Sequence, residues 1–406
     1  MKKALLPLAL ALLVPVFSPG WGFFGHRTIT QVAVYALPSG MQNFYFRHMA
    51  QLVKLSTAPD ERRTDDPNEE HKHYIDMDHF GDNPFGLMPK AYDKAVAKYT
   101  ADTLKKYGTV PWTVLEVKEK LTDAFRDGDT TAIIALSADL DHYVADAFVP
   151  LHTTENYDGQ LTKQQGIHSL WESKLPELFI AQYKLDSEKA DYLKDPQAAI
   201  WGVIQSSYGF LGATFDIEAE LNKKFTTEKK YTFSHKYGKT RRSYSDEFAK
   251  EYNKKVGGMV AYRLKGAPTM VASFWYSAWK DAGSPDLNKL MRPSKLSKDE
   301  KEQLDTQLKA WKENQLVDQN LLLAMQKEAA GPTNPADIPD ETSTPAAPAA
   351  PADAPKSAEA KPAEQPAKVK VKEKKEDAPK QKEKTKVKKD DGKKKDEKKS
   401  DDPFGD

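Results

Sequence analysis

The chain has 406 residues, of which 61 are Lys or Arg and 60 are Asp or Glu, and it contains no cysteine. The lack of cysteine excludes disulfides, thiolate metal sites, iron–sulfur clusters and a cysteine nucleophile, so any metal ion must be held by His, Asp, Glu or backbone atoms. A formal net charge of +1 excludes a protein that binds nucleic acid through bulk positive charge.

The first 20 residues have the pattern of a secretory signal peptide. Lys2 and Lys3 form a short basic segment, residues 4–17 form an apolar run, and residues 18–20 supply small side chains before a cleavage site at Trp21. The apolar run is shorter than the ~20 residues that a membrane-spanning helix needs. We therefore expect an exported, periplasmic or secreted protein whose mature chain begins at Trp21. An uncleaved N-terminal anchor is the alternative.

Residues 21–330 show helical periodicity almost throughout. Apolar side chains recur at helical spacing in the segments 91–107, 111–125, 130–148, 167–183, 196–219, 245–264 and 268–279, and a long charged helix is expected over 297–328. The alternation typical of strands is nearly absent, apart from residues 231–233 in a loop-like segment. The sequence therefore predicts an all-α, multi-helix domain. It has no glycine-rich phosphate loop, so no organic cofactor is expected.

Residues 331–406 have the composition of a disordered tail. A Pro/Ala-rich part, 344–363, leads into a mixed Lys, Glu and Asp part, 368–399, and no aromatic residue occurs before Phe404. Such a segment cannot bury enough apolar surface to offset the entropy of ordering it. We expect a solvated extension. Contact of the tail with an acidic envelope or membrane surface is the alternative, although the interleaved acidic residues weaken it.

Histidines and carboxylates are paired on two successive predicted helices. His142 and Asp146 are four residues apart, which puts both side chains on the same face of a helix. His168 and Glu172 repeat this spacing, and His152 lies between the two pairs. Nitrogen and carboxylate donors without thiolates suit zinc in an open, catalytic type of coordination. More ligand types are concentrated upstream, in residues 60–63 and 71–76.

Together with the segment Trp21-Gly22-Phe23-Phe24-Gly25-His26, these motifs resemble the superfamily of zinc-dependent phospholipases C and single-strand-specific nucleases. The resemblance covers residues 21–172, and the later helices are compatible with it. It implies an all-helical fold with three zinc ions in one cleft. It also implies that the mature N-terminal Trp binds zinc through its free amine and its carbonyl.

Carried over residue by residue, the resemblance implies three sets of zinc ligands. The sets are Asp60, His73, His142 and Asp146 for the first ion; His152, His168 and Glu172 for the second; and Trp21 and His26, with Asp146 as a bridge, for the third. His71 is the alternative to His73, although the segment 73–76 fits the family pattern better.

The resemblance further implies hydrolysis of a phosphodiester bond by a zinc-activated water. Asp60 could double as a general base, and Arg63 is placed like the family arginine that steadies the phosphate. Asp76 would orient a zinc-bound His or form a hydrogen bond with the substrate. For Arg63 a solvent-exposed ion pair with Asp65 or Asp66 is the alternative.

The substrate is open between a phospholipid and a single-stranded nucleic acid. Glu172, in place of Asp, resembles the phospholipase C branch, and we lean slightly toward it. Segments 21–26, 60–63 and 157–159 resemble the nuclease branch, whose activity would be that of a single-strand-specific endonuclease or 3′-nucleotidase on DNA or RNA. Phe80, Phe85 and Tyr157 are candidate base-stacking residues, although aromatic residues at these positions could equally belong to the core. The basic segment 223–242 could contact phosphates or lipid headgroups, and a solvated loop is the alternative. A non-catalytic zinc-binding scaffold is a further alternative.

Overall fold

The computed structural model describes residues 21–236 and 239–326, and only the backbone of residues 234–236 and 239–241. The predicted signal peptide and tail, and the domain boundary near residue 330, lie outside these residues. The helices in the first half are α1 (Gly22–Ala36), α2 (Ser39–Arg47), α3 (Met49–Leu55), α4 (Ala58–Arg62), α5 (Pro84–Leu87), α6 (Tyr92–Tyr99), α7 (Ala101–Tyr107), α8 (Val110–Asp127) and α9 (Thr130–Asp146).

The helices of the second half are α10 (Ile167–Ser169), α11 (Leu175–Phe179), α12 (Pro196–Gly209), α13 (Leu211–Asn222), α14 (Thr227–Lys230), α15 (Asp246–Asp281) and α16 (Lys298–Lys312). The prediction of an all-α fold is confirmed. None of the helices in the described part of the chain is both long and apolar enough to cross a membrane.

Polar side chains at several helix starts satisfy backbone amides that have no partner within the helix. Asp129 accepts a hydrogen bond from the amide of Ala132 at the start of α9. Ser245 does the same for α15. Ser297 and Glu300 form a reciprocal capping box at the start of α16.

Several predicted helices differ in length or continuity in the structure. Residues 91–107 form two helices because Thr100 takes a left-handed conformation, with φ +70°, and its hydroxyl caps α7. Conversely, α15 runs unbroken through Pro268, where two helices are predicted. Proline costs one helical hydrogen bond, and the continuous buried face of α15 offsets that cost. The last helix ends at Lys312 rather than residue 328, just before Asn314 takes φ +53°.

The centre of the fold is formed by α1, α8, α9 and α15, and α15 packs against the other three. Trp275 of α15 shows how these helices are joined. Its buried indole donates a hydrogen bond to the carbonyl of Ser137 on α9 at 2.9 Å, and its ring packs against Tyr45 of α2. Because α1 also packs against α9, the helices that carry His26 and His142 are held side by side.

A β-hairpin lies between α14 and α15, in the segment where we expect a loop. Its antiparallel strands are β1 (Tyr231–Lys236) and β2 (Lys239–Tyr244), and their register pairs Tyr231 with Tyr244 and Phe233 with Arg242. The rings of Tyr231 and Tyr244 are buried and lie 5.2 Å apart. These two tyrosines anchor the base of the hairpin in the core.

Candidate metal centre

Buried ligand-type side chains from separate parts of the chain meet beside α9. His26 comes from α1 and Asp60 from α4, while His142 and Asp146 lie one turn apart on α9. The others come from short turns, namely His73 after the 3₁₀ turn Glu70–Lys72, His152 in the 3₁₀ turn Pro150–Thr153, His168 in α10 and Glu172 in the π-helical turn Leu170–Lys174. The structure thus brings together eight of the nine predicted zinc ligands.

These side chains form three groups, each of which could hold a metal ion. The groups are His26, His142 and Asp146; Asp60, His73 and His142; and His152, His168 and Glu172, and within each group the ligand atoms lie within 4.8 Å of one another. The last group is the second predicted set. The other two differ from the predicted sets in that His142 is common to both.

Asp146 lies between the first two groups. Its Oδ1 atom is 3.4 Å from Nε2 of His26, and its Oδ2 atom is 2.9 Å from Nδ1 of His73 and 3.3 Å from Nε2 of His142. Asp60 completes this side, with Oδ1 at 3.8 Å from both His73 and His142. A carboxylate with one oxygen facing each group has the geometry that a bridging ligand needs.

Backbone carbonyls orient two of the imidazoles. Nδ1 of His142 lies 2.7 Å from the carbonyl oxygen of Ser56, and Nδ1 of His152 lies 2.6 Å from the carbonyl oxygen of His73. A carbonyl can only accept a hydrogen bond, so each Nδ1 carries a proton, and in the neutral ring the lone pair is on Nε2. In both cases that lone pair belongs to the nitrogen nearest the other ligand-type atoms.

In the third group, Nε2 of His168 lies 2.9 Å from Oε2 of Glu172, and Nε2 of His152 lies 3.6 Å from the same oxygen. The two imidazole rings are almost perpendicular, at 89°. The wide π-helical turn that contains Glu172 follows directly on α10. It directs the carboxylate of Glu172 at both imidazoles.

Burial sets the charge of several of these groups. It lowers the pKa of His26 and of His168 to about 4, and it raises the pKa of Glu172 to about 8. Burial would also raise the pKa of Asp146, but His142 and His152 hold it well below the usual value. Against the effect of burial, the charges of Asp146 and Asp60 raise the pKa of His142 to about 9. Metal ions bind neutral imidazoles and ionised carboxylates, so a bound ion would displace the protons that His142 and Glu172 hold at neutral pH.

Many donor atoms in these groups lack a hydrogen-bond partner among the described residues, although each is buried. They are both ring nitrogens of His26 and of His168, both carboxylate oxygens of Glu172, Nε2 of His73 and of His152, Oδ2 of Asp60 and Oδ1 of Asp146. Buried polar groups are nearly always satisfied, because an unsatisfied one costs about 1–3 kcal/mol. The concentration of such atoms in one place fits bound cations, and the all-nitrogen-and-oxygen donor set fits zinc.

Trp21 lies against the same part of α9. Its buried indole donates a hydrogen bond to the carbonyl of Ala145 at 2.7 Å, next to Asp146. Gly25 allows this packing, because a Cβ atom there would lie 3.0 Å from Cβ of Trp21. The carbonyl of Trp21 accepts a hydrogen bond from the amide of His26 at 3.3 Å. Trp21 thus lies beside the groups, and its role as a zinc ligand stays a prediction.

A cavity of ≈ 280 Å³ opens beside these groups, and its wall includes His73, His152 and His168. Two of the predicted catalytic residues, Arg63 and Asp76, also line it. Arg63 lies 3.4 Å from Oδ1 of Asp60. Burial, followed by the charges of Asp78 and Glu155, raises the pKa of Asp76 to about 8.

Of the three candidate base-stacking residues, Tyr157 alone lines the cavity, where its ring lies 5.9 Å from that of His168. Phe80 is buried in the core against Tyr99, which is the second of the two alternatives for this residue. Phe85 packs against Tyr208 outside this wall.

His71, the alternative to His73, instead lies 2.8 Å from the hydroxyl of Thr109 and belongs to none of the three groups. Glu69 is not among the predicted residues, although its buried carboxylate lies 3.6 Å from Nε2 of His73. The spacing of four residues between Glu69 and His73 is the signal that points to it. Gln160 lines the cavity but belongs to no sequence motif.

A protein-family model described as S1/P1 Nuclease matches residues 21–278. The match begins at Trp21 and includes every residue of the three groups. No curated protein matches the chain.

Proposed function

The chain belongs to the S1/P1 nuclease family, and we propose that it is a zinc-dependent nuclease that cleaves phosphodiester bonds in single-stranded DNA or RNA. Membership places it in the phospholipase C/nuclease superfamily and makes it a hydrolase of phosphodiester bonds. Zinc dependence, three ions and the single-stranded substrate are our proposals. The observation that carries them is the three groups of buried donors, with their unsatisfied atoms, next to a cavity whose wall includes His73, His152 and His168.

The donor atoms define where zinc would be held. Asp60, His73 and His142 would hold one ion, His152, His168 and Glu172 another, and His26 and Asp146, with Trp21, a third. Bound zinc would supply Lewis-acid chemistry, because it makes water more acidic and offsets negative charge on a phosphoryl group.

The protein's own side chains would bind and orient the substrate. The guanidinium of Arg63, in the cavity wall, can bind the phosphate through paired N–H groups and stabilise the charge that develops on its oxygens. Asp60, whose pKa is held below the usual value by His142 and His73 against the effect of burial, is ionised and can accept a proton. The ring of Tyr157 offers a face on which a base can stack.

Asp76 has a different part to play from Asp60. With a pKa of about 8, its carboxyl is protonated at neutral pH and can donate a hydrogen bond to an anionic or carbonyl oxygen of the substrate. An ionised carboxylate at this position would repel phosphate. Asp76 is therefore a residue that binds substrate, while Asp60 is the candidate base.

The lean toward phospholipase C is not supported by the comparison, because the matching family model is that of the nucleases. That lean rested on Glu172, and a glutamate there serves equally as a third donor for the group with His152 and His168. The nuclease alternative fits the family better. A non-catalytic scaffold has less support, because Arg63 and Asp76 line a cavity next to the donors.

We also propose that the protein is exported and that cleavage before Trp21 completes the third set of ligands. An α-amino group has a pKa near 7.7–8.0 and binds zinc in its neutral form. A precursor in which Trp21 is still joined to residue 20 has no such amine. Trimmed protein should therefore retain more zinc per chain than uncleaved precursor.

The test is a comparison of substrates with trimmed, zinc-loaded protein. We expect hydrolysis of single-stranded DNA and RNA and little hydrolysis of p-nitrophenyl phosphorylcholine or phospholipid vesicles. Hydrolysis of the phosphorylcholine ester or of vesicles alone would reverse the choice of substrate. Zinc retention without activity on any of the four would favour the scaffold.

A further inference from the structure

The hairpin and the short helix before it are the most basic part of the domain. From Lys229 to Arg242 the sequence has six Lys and Arg and no Asp or Glu, whereas the whole chain has a net charge of only +1. Lys230 is neutralised, because its ammonium is buried and lies 2.6 Å from Glu218. Four further positive charges follow, at Lys236, Lys239, Arg241 and Arg242, and the sequence has no acidic residue between Glu228 and Asp246, which makes the segment attractive to a polyanion.

The base of the hairpin is fastened to the chain segment that forms part of the cavity wall. The hydroxyl of Tyr244 lies 2.8 Å from Oε1 of Glu218 and 3.2 Å from the carbonyl oxygen of Gln164. The side-chain amide of Gln164 donates to the other oxygen of Glu218 at 2.5 Å. Gln164 follows Tyr157 and Gln160, which line the cavity. The hairpin is therefore placed beside the cavity by a buried network.

Arg242 is exposed, and it lies on the same face of the hairpin as Tyr244, two residues away along β2. Its guanidinium lies 4.3 Å from the ring of Tyr231. Because the hydroxyl of neighbouring Tyr244 is bonded to the carbonyl of Gln164, Arg242 lies near the chain segment that follows Tyr157 in the cavity wall.

Phe233 lies opposite Arg242 in the register of the two strands. Its ring is 62% exposed, and it is the one exposed large apolar side chain among the described side chains of the hairpin. An exposed ring beside an exposed guanidinium is the combination that binds single-stranded nucleic acid, because the ring stacks with a base and the cation binds a phosphate. Insertion into a lipid surface would need a larger apolar face than a single ring provides.

We infer that Arg242 and Phe233 form a binding surface for nucleotides of a single strand that lie outside the cavity. This inference rests on the proposed function and adds to it a preference for long strands. A dinucleotide fills the cavity without reaching the hairpin. A longer strand continues past Tyr157 and Asp158, where Arg242 binds a phosphate and Phe233 stacks with a base.

The experiment compares the mature, zinc-loaded protein with the double variant Phe233→Ala/Arg242→Gln. The substrates are a dinucleotide and a long single-stranded oligodeoxynucleotide. A fluorescent phosphorothioate oligonucleotide that resists cleavage reports binding independently of hydrolysis. We expect the KM and the Kd for the long strand to rise about tenfold through loss of the stacked base. The slope of log Kd against log salt should fall by about 0.7 for the lost phosphate contact, with dinucleotide hydrolysis unchanged.

The matched control is Tyr192→Ala/Arg126→Gln, which also removes one exposed ring and one exposed arginine. Both residues contact Asp281, at the C-terminal end of α15. The hairpin adjoins the other end of this 36-residue helix, which is about 54 Å away at 1.5 Å per residue. The control should leave all these quantities unchanged. Phe233→Tyr/Arg242→Lys should restore most of the binding.

The outcomes separate the two proposals. If the double variant binds the long strand as tightly as the wild type does, and with the same salt dependence, the inference is overturned. It is also overturned if the double variant loses affinity for anionic phospholipid vesicles and not for the strand. If the wild type binds the strand through these residues but hydrolyses neither substrate, the hairpin surface stands and the proposed nuclease activity fails.

Discussion

Nε2 of His73 lies 3.6 Å from Oε1 of Glu69, while Nδ1 of the same ring faces Asp146 at 2.9 Å. Glu69 is buried and held in place by Lys72 at 2.7 Å and by hydrogen bonds from Arg62 and from the hydroxyl of Tyr143. A carboxylate behind a metal-binding imidazole fixes the orientation of its ring and makes it a better ligand. Glu69 is thus a positioning residue for His73.

Substitution of Glu69 by Gln should weaken the hold on zinc by about 10- to 100-fold, the range seen when such partners are removed. Competition with a chelator, monitored through retained zinc, measures this directly. Lys72→Gln is the control, because Lys72 contacts the same carboxylate and belongs to none of the ligand groups. An unchanged chelator midpoint in Glu69→Gln would show that Glu69 does not position the ring.

Loss of zinc should depend on which group is altered. Asp146 directs one oxygen at His26 and the other at His73 and His142, whereas Glu172 belongs to one group. Asp146→Ala should therefore release two ions per chain and Glu172→Gln only one, because a group that loses one of its few donors binds zinc far more weakly. Elemental analysis after dialysis provides the count, and circular dichroism checks the fold. Equal losses from the two variants would argue against a bridging Asp146.

Substrate binding should weaken as the pH rises through about 8. Below this value the carboxyl of Asp76 is neutral and donates a hydrogen bond, and above it the group is negative and repels a phosphodiester. The KM of the wild type should therefore increase on the alkaline side. In Asp76→Asn this increase should disappear, since an amide does not ionise there. The measurement is KM against pH for both proteins, and identical profiles would exclude Asp76 as the titrating group.

Glu218→Gln should destabilise the domain strongly. The variant leaves the buried ammonium of Lys230 without its anionic partner and with only neutral acceptors such as Asn222, at 2.7 Å. Loss of one charge costs about 3–5 kcal/mol in other buried pairs. Glu220→Gln serves as the control, because Glu220 pairs with Lys224 and Lys255 in exposed contacts and should cause no measurable loss. Urea unfolding compares the two. Similar midpoints would mean that the buried pair contributes little.

The parts of the site that follow from local spacing were predictable. His142 with Asp146, and His168 with Glu172, are four residues apart, and a helix brings such pairs together whatever the rest of the fold does. The proximity of Asp60 and His73 to His142 and Asp146 depends on packing between distant segments. The resemblance to a family predicts it, and helical periodicity does not.

Elsewhere, packing overrides the local signal. Pro268 marks a helix boundary in the sequence, yet it lies inside α15 because the residues around it are buried on a continuous face. Phe80 looks equally suited to the surface or the core in the sequence, and burial against Tyr99 decides for the core. Glu69 had the same four-residue spacing from His73 as the recognised pairs, but its segment carries no helical periodicity.

The two ends of the hairpin meet before the strands begin, since the amide of Ser245 donates to the carbonyl of Lys230 at 2.8 Å. The strands therefore leave and rejoin the domain at a single point, clear of every residue in the three ligand groups. A hairpin connected in this way can be replaced by a turn of different length or chemistry without altering the residues of the ligand groups. Engineering the reach of the protein along a polymer is then separable from engineering its chemistry.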